Sequence, residues 1–226
     1  MTLRGETISF EGADGARLSA YRVEPSGPRV GGLVLVQEIF GVTDHIRELC
    51  DGFAADGFET IAPALYDREE PGFEADYTPQ DIARAREIAE SHPIDLSVGD
   101  MTRIVERLAP LGPVFAVGYC YGGSMAWLGA CRVPGLAAAS GYYGRRIVEF
   151  LGERPRCPIV LHFGERDAAI PMSDVEKIKA AHPEVPVHIY PAGHGFNSDR
   201  RQDYDAGCAR LARERTLALF RANGAR

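Results

Sequence analysis

The residues best suited to chemistry in this chain of 226 are a cysteine, an aspartate and a histidine, met in that order. Cys120 lies in Gly118-Tyr119-Cys120-Tyr121-Gly122-Gly123, between the apolar run PVFAV and a helix-like stretch beginning MAWLGA. A nucleophile flanked at two residues on either side by glycine has a steric reason. The sharp turn from strand to helix brings backbone segments so close that side chains there would collide. The thiol would also meet the positive end of the helix dipole, which favours thiolate. Taken alone, the motif is also compatible with a plain buried cysteine beside a glycine turn, so its partners decide.

Asp167 follows the apolar run PIVLHF in His162-Phe163-Gly164-Glu165-Arg166-Asp167, where a loop at the carboxyl end of a strand would carry it. Asp174 reads as an ordinary acid in the first turn of the next helix, and Glu165 as a turn residue. His194 stands in the glycine-flanked Pro191-Ala192-Gly193-His194-Gly195-Phe196, directly after the run VPVHIY. His45, His92, His182 and His188 read as surface or satisfied core residues, and His162 as packing at a strand end. Nucleophile, acid and histidine in this chain order are the arrangement of α/β-hydrolases. The chemistry is acyl transfer, in which a thiolate attacks an ester or lactone carbonyl and a histidine handles the protons. Amides, with poorer leaving groups, suit a cysteine less.

The elements that must position these groups follow from apolar patterning. Residues 7–11 and 17–24 alternate as half-buried strands, with Gly12-Ala13-Asp14-Gly15 as the turn, which predicts an antiparallel hairpin. From residue 30 onward, short continuous apolar runs alternate with helix-like stretches at 44–56, 79–89, 96–108, 123–131, 173–181 and 203–222. That rhythm predicts an α/β fold with a mostly parallel sheet and helices on both faces, as one α/β-hydrolase domain over 1–226. Residues 67–78, DREEPGFEADYT, are the least regular stretch and read as a flap over the site.

Composition narrows the function. The five cysteines are scattered and include no C-x-x-C pair, which fits a reducing compartment and argues against thiolate metal ligation. No metal and no cofactor are expected. The net charge of −7 repels phosphate backbones, and the longest aliphatic run, Leu33 to Val36, is far short of the roughly 20 residues that span a bilayer. The expectation is a cytoplasmic protein with a small-molecule substrate, binding neither nucleic acid nor membrane.

Five spaced motifs in order, Gln37-Glu38-Ile39-Phe40-Gly41, Ala62-Pro63-Ala64-Leu65-Tyr66, the elbow at Cys120, Gly141-Tyr142-Tyr143-Gly144 and Gly193-His194-Gly195-Phe196, resemble the dienelactone hydrolase family, a cysteine-using branch of the α/β-hydrolases. The resemblance implies Cys120 as nucleophile, His194 as base and Asp167 as its orienting acid. It adds Glu38 beside the cysteine, holding the thiol at rest and helping to deprotonate it, and the backbone amides of Ile39 and Tyr121 as an oxyanion hole. It implies hydrolysis of a carboxylic ester or lactone, with opening of dienelactone (carboxymethylenebutenolidase activity) as the named case.

Substrate recognition is where the pattern departs. The family's carboxylate-binding arginine four residues past the histidine is replaced by Ser198, leaving Arg84 and Arg86, or Arg200 and Arg201, as candidates. Tyr143 and Phe196 are candidate pocket aromatics, with Tyr66, Tyr119 and Tyr142. A non-catalytic binding or scaffold protein is the alternative function. A thiol redox protein lacks an evident resolving cysteine, since Cys131 would lie about three helical turns from Cys120.

Overall fold

The computed structural model describes residues 4–226. It contains strands β1 (Glu6–Glu11), β2 (Arg17–Val23), β3 (Gly31–Val36), β4 (Phe58–Pro63), β5 (Val114–Tyr119), β6 (Leu136–Tyr142), β7 (Ile159–Gly164) and β8 (Val187–Tyr190). The helices are α1 (Asp44–Ala55), α2 (Pro79–Ser91), α3 (Ile94–Leu108), α4 (Tyr121–Arg132), α5 (Met172–Ala181) and α6 (Ala206–Ala222), with short 3-10 turns at Ala109–Leu111 and Arg145–Phe150.

All eight strands form one sheet in the order β1-β2-β4-β3-β5-β6-β7-β8. The β1–β2 hairpin is antiparallel and β2 joins β4 antiparallel, while β3 to β8 run parallel. This is the α/β-hydrolase architecture that the alternating runs predict. Every residue of β3, β4, β5 and β7 is buried, which explains why they read as continuous apolar runs. On one face, Phe53 of α1 and Phe220 of α6 both meet Phe58, and Phe220 stacks on Phe115. α3 and α4 pack together against the central strands on the other face.

The helices lie where the patterning puts them, with small shifts at their ends. α4 starts at Tyr121 rather than 123, because Gly122 and Gly123 are helical even though glycine weakens helices in general. α6 starts at Ala206, where the side chain of Asp205 accepts from the Cys208 amide at 2.8 Å and caps it.

The irregular 67–78 segment is pinned. The Asp67 carboxylate accepts from the Ser19 amide and hydroxyl at 2.8 and 2.6 Å and from the Gly72 amide at 2.9 Å. Arg68 forms ion pairs with Asp14 and with the fully buried Asp100. Further along, the Ala75 amide donates to the Phe40 carbonyl at 3.1 Å, so the segment is stitched to the loop after β3. Among the described residues no helix is long and apolar enough to cross a membrane.

Candidate active site

The carboxyl edge of the central strands carries the candidate site. Cys120 joins β5 to α4 with φ 55° and ψ −111°, a left-handed conformation rare for a residue with a side chain. Such strain costs about 1–3 kcal/mol and persists only where the surroundings enforce it. Here the glycines allow the enforcement. A Cβ on Gly118 would stand 1.9 Å from the Gly122 carbonyl oxygen, one on Gly122 2.2 Å from that of Val36, and one on Gly123 2.1 Å from that of Tyr142. With no side chains in the way, the Gly122 amide reaches the Gln37 carbonyl at 3.0 Å and the Cys120 amide reaches that of Tyr142 at 3.0 Å. The elbow is thus tied to both neighbouring strands, and Cys120 caps the amino terminus of α4.

His194 lies in the loop after β8. Its Nε2 is 3.3 Å from Cys120 Sγ and its Nδ1 is 2.7 Å from Asp167 Oδ2. Asp167, on the loop after β7, is buried, and its other oxygen accepts from the amides of Ala169 at 2.8 Å and Ile170 at 3.1 Å. Those bonds fix the carboxylate, which in turn fixes the imidazole. The competing acids lie elsewhere: Glu165 is exposed and Asp174 pairs with Lys177 at 2.7 Å. Burial by itself would lower the pKa of His194, but the Cys120 thiolate beside it and the hydrogen bonds to Asp167 and Cys120 outweigh burial and push it up to about 10. The arrangement therefore favours the imidazolium form of His194 beside the Cys120 sulfur.

Glu38 and the two candidate oxyanion amides follow from strand register. β3 and β5 are parallel neighbours with Val36 opposite Gly118, so Glu38 and Cys120 each stand two residues beyond the same pair. Among the described residues, neither the Ile39 amide nor that of Tyr121, the first residue of α4, makes a hydrogen bond to a backbone carbonyl. Two free donors thus come from the two segments that meet at the elbow.

The carboxylate of Glu38 is 1% exposed and, among the described residues, its one hydrogen bond is to Tyr77, whose hydroxyl donates to Oε2 at 3.2 Å. The resemblance places this glutamate on the thiol, whereas here Cys120 Sγ is bonded to His194 and Glu38 to Tyr77. Arg201 Nη1 is 3.6 Å from Glu38 Oε1. The guanidinium of Arg201 also lies over the Tyr77 ring, 5.7 Å from its centroid.

Not every expected residue joins this cluster. Arg84 is exposed on α2 and paired with Glu70 and Glu87, and Arg86 is exposed on the same helix. Ala85, Ile88 and Ala89 turn inward from α2, leaving both arginines, expected as substrate-binding residues, on its outer side. Arg200 pairs with Glu48 and Asp199. Tyr143 is fully buried with its ring 5.1 Å from that of His194, whereas Phe196 packs among Tyr142, Tyr143 and Tyr190 and supports the site from behind. Tyr77 was invisible to sequence reasoning, since it belongs to the irregular segment and has no motif around it. Arg201 appears in the sequence only as one of several arginines after His194.

The model of the dienelactone hydrolase family matches residues 18–224. The chain belongs to the dienelactone hydrolase family. As a family member it is a hydrolase of ester or lactone bonds. A Synechocystis protein provisionally named carboxymethylenebutenolidase is 33% identical over 208 residues, covering 83% of this chain and 84% of its own. Carboxymethylenebutenolidase 1 of Cupriavidus pinatubonensis is 30% identical over 224 residues, covering 94% of this chain and 95% of its own. A crystal structure from Klebsiella pneumoniae, provisionally named a dienelactone hydrolase, superposes with a TM-score of 0.82 at 29% identity, over 96% of this chain and 99% of that one.

Proposed function

We propose that this family member hydrolyses a carboxylic ester or lactone through a thioester on Cys120, with His194 as the proton carrier and Asp167 as its orienting acid. The observation that carries the reading is His194 bridging Cys120 Sγ at 3.3 Å and Asp167 Oδ2 at 2.7 Å, at the strained elbow.

The thiolate attacks the carbonyl carbon, and the resulting oxyanion takes the free amides of Ile39 and Tyr121. Losing one such donor costs about 10²–10³ in rate. As the tetrahedral species collapses, the C–O bond to the leaving oxygen breaks and the imidazolium gives that oxygen its proton. An enol-lactone leaves as an enolate and needs little help. Acylation removes the thiolate charge, the strongest influence raising the pKa of His194, while burial, which lowers it, remains. His194 is then a neutral base. It takes a proton from water, the hydroxide attacks the thioester, and the departing thiolate restores the ion pair while the carboxylic acid leaves.

Arg201 takes the place expected of Arg84 and Arg86 as the partner of a substrate carboxylate, because it is the guanidinium that reaches the site beside Glu38. This favours a lactone bearing a carboxylate, of which dienelactone is the type. Hydrolysis of dienelactone and of short aryl esters by the wild type and by Cys120→Ala tests the reading. Cys120→Ala is expected to lose both activities by at least about 10³-fold, in the range seen when a nucleophile is removed. Undiminished hydrolysis of every substrate would sink it.

A further inference from the structure

We propose that Tyr77 is a positioning residue: its hydroxyl holds the Glu38 carboxylate off the Cys120 thiol, and so ties the segment between β4 and α2 to the protonation state of the nucleophile. The inference rests on the reading that Cys120 is the nucleophile and goes beyond it in assigning control of the thiol to a residue outside the catalytic loops.

A buried carboxylate needs hydrogen-bond partners, and Glu38 is poorly supplied. Among the described residues, Oε2 has the Tyr77 hydroxyl at 3.2 Å, while Oε1 has no hydrogen-bond partner and lies 3.6 Å from the Arg201 guanidinium. O–H···O⁻ bonds are usually about 2.5–2.7 Å, so this one is loose and open to exchange. Glu38 and Cys120 each lie two residues past the Val36–Gly118 pair of β3 and β5, and on this proposal the Cys120 S–H is the alternative donor. The carboxylate therefore has two competing donors, and in this structure Tyr77 has it.

Tyr77 is itself held in place. Its ring meets Phe40 edge-on at 4.6 Å and carries Arg201 at 5.7 Å. The hydroxyl also lies 3.3 Å from Ser198 Oγ, and because the Tyr77 proton goes to Glu38, the serine donates. Ser198 is fully buried, and its amide donates to the Gly195 carbonyl at 2.9 Å, directly beside His194. Burial and the Glu38 charge push the Tyr77 phenol up, so it remains a donor at ordinary pH. The other ionisable groups that feel the Glu38 charge are His45, which burial pushes down, and the phenols of Tyr143 and Tyr119, which burial pushes up; burial likewise pushes up the phenol of Tyr66, which with Tyr143 feels the charge of Cys120.

The test is the pH dependence of Cys120 alkylation by iodoacetamide, read by peptide mass, in wild type, Tyr77→Phe, Glu38→Gln and the double variant. Tyr77→Phe keeps the ring packing and removes only the hydroxyl. The freed carboxylate should accept from the thiol and favour its protonated form, raising the alkylation midpoint by about one pH unit. In the Glu38→Gln background the same substitution should leave the midpoint unchanged. Ser198→Ala, which spares the bond from Tyr77 to Glu38, should shift it in the same direction by less. An unchanged midpoint in Tyr77→Phe, or a shift that persists without Glu38, overturns the inference. Either result leaves the nucleophile reading standing, whereas hydrolysis that survives Cys120→Ala strikes that reading independently of alkylation.

Discussion

Gly122 and Val36 are in backbone contact across the elbow: a Cβ added to the glycine would lie 2.2 Å from the valine carbonyl oxygen, with the Gln37 carbonyl oxygen at 2.6 Å. The close approach lets α4 begin immediately after Cys120 and ties the loop that carries Glu38 to the elbow. Backbone atoms of a central strand cannot move aside as a flexible side chain can, so Gly122→Ala must distort the elbow or break it. A loss of at least about 3 kcal/mol is expected for such overpacking against backbone. For a chain of this size that corresponds to a fall in Tm of roughly 6–12 °C, measurable by thermal melting.

Asp167→Asn should preserve the shape of the acid loop while removing the charge that orients and supports the imidazolium. A fall in kcat of about 10²–10⁴ is expected, by analogy with the effect of neutralising the orienting acid of other triads. Steady-state hydrolysis of an aryl ester gives the number. Glu165→Gln, at an exposed position, should leave it unchanged.

The raised pKa of His194 has a pH consequence with a definite sign. The imidazolium persists at neutral pH and is lost as pH rises through about 10, so the proton for a basic leaving group disappears there. Acylation by an alkyl ester should fall above pH about 10, while acylation by a 4-nitrophenyl ester, whose leaving group needs no proton, should not. Single-turnover rates for the two esters between pH 7 and 11 make the comparison, with the activated ester serving as the control for unfolding.

Arg201→Gln should raise KM for a carboxylate-bearing lactone by about 10–100-fold, the range expected for losing a charge-assisted contact of about 1.5–3 kcal/mol. KM for a neutral aryl ester should change little. Arg84→Ala and Arg86→Ala should leave both values as they are, since both side chains lie on the outside of α2.

The parts of the site visible in the sequence are those governed by local rules. Gly118 is needed because of a collision within the turn, the glycine pattern around Cys120 is itself a local motif even though Gly122 and Gly123 clear the neighbouring backbone at Val36 and Tyr142, and Asp167 and His194 each follow a recognisable apolar run. The sheet was legible for the same reason, since β3, β4, β5 and β7 are buried throughout and read as apolar runs between amphipathic helices. The contacts of Glu38 were not legible. Its partners Tyr77 and Arg201 lie 39 and 163 residues away in the chain, and neither belongs to a periodic pattern. Arg84 and Arg86 show the converse. Their charge suggested a role, but the inward turn of Ala85 and Ile88 decided their placement, and that required only the apolar row already present on the helix.

Trapping the acylated protein tests the central claim most directly. Rapid acid quench during turnover of a 4-nitrophenyl ester, followed by peptide mass analysis, should find the acyl group on the peptide containing Cys120. Cys120→Ala should carry no acyl group and hydrolyse no ester above background. Full turnover with Cys120 unmodified, together with an active Cys120→Ala, would contradict the account.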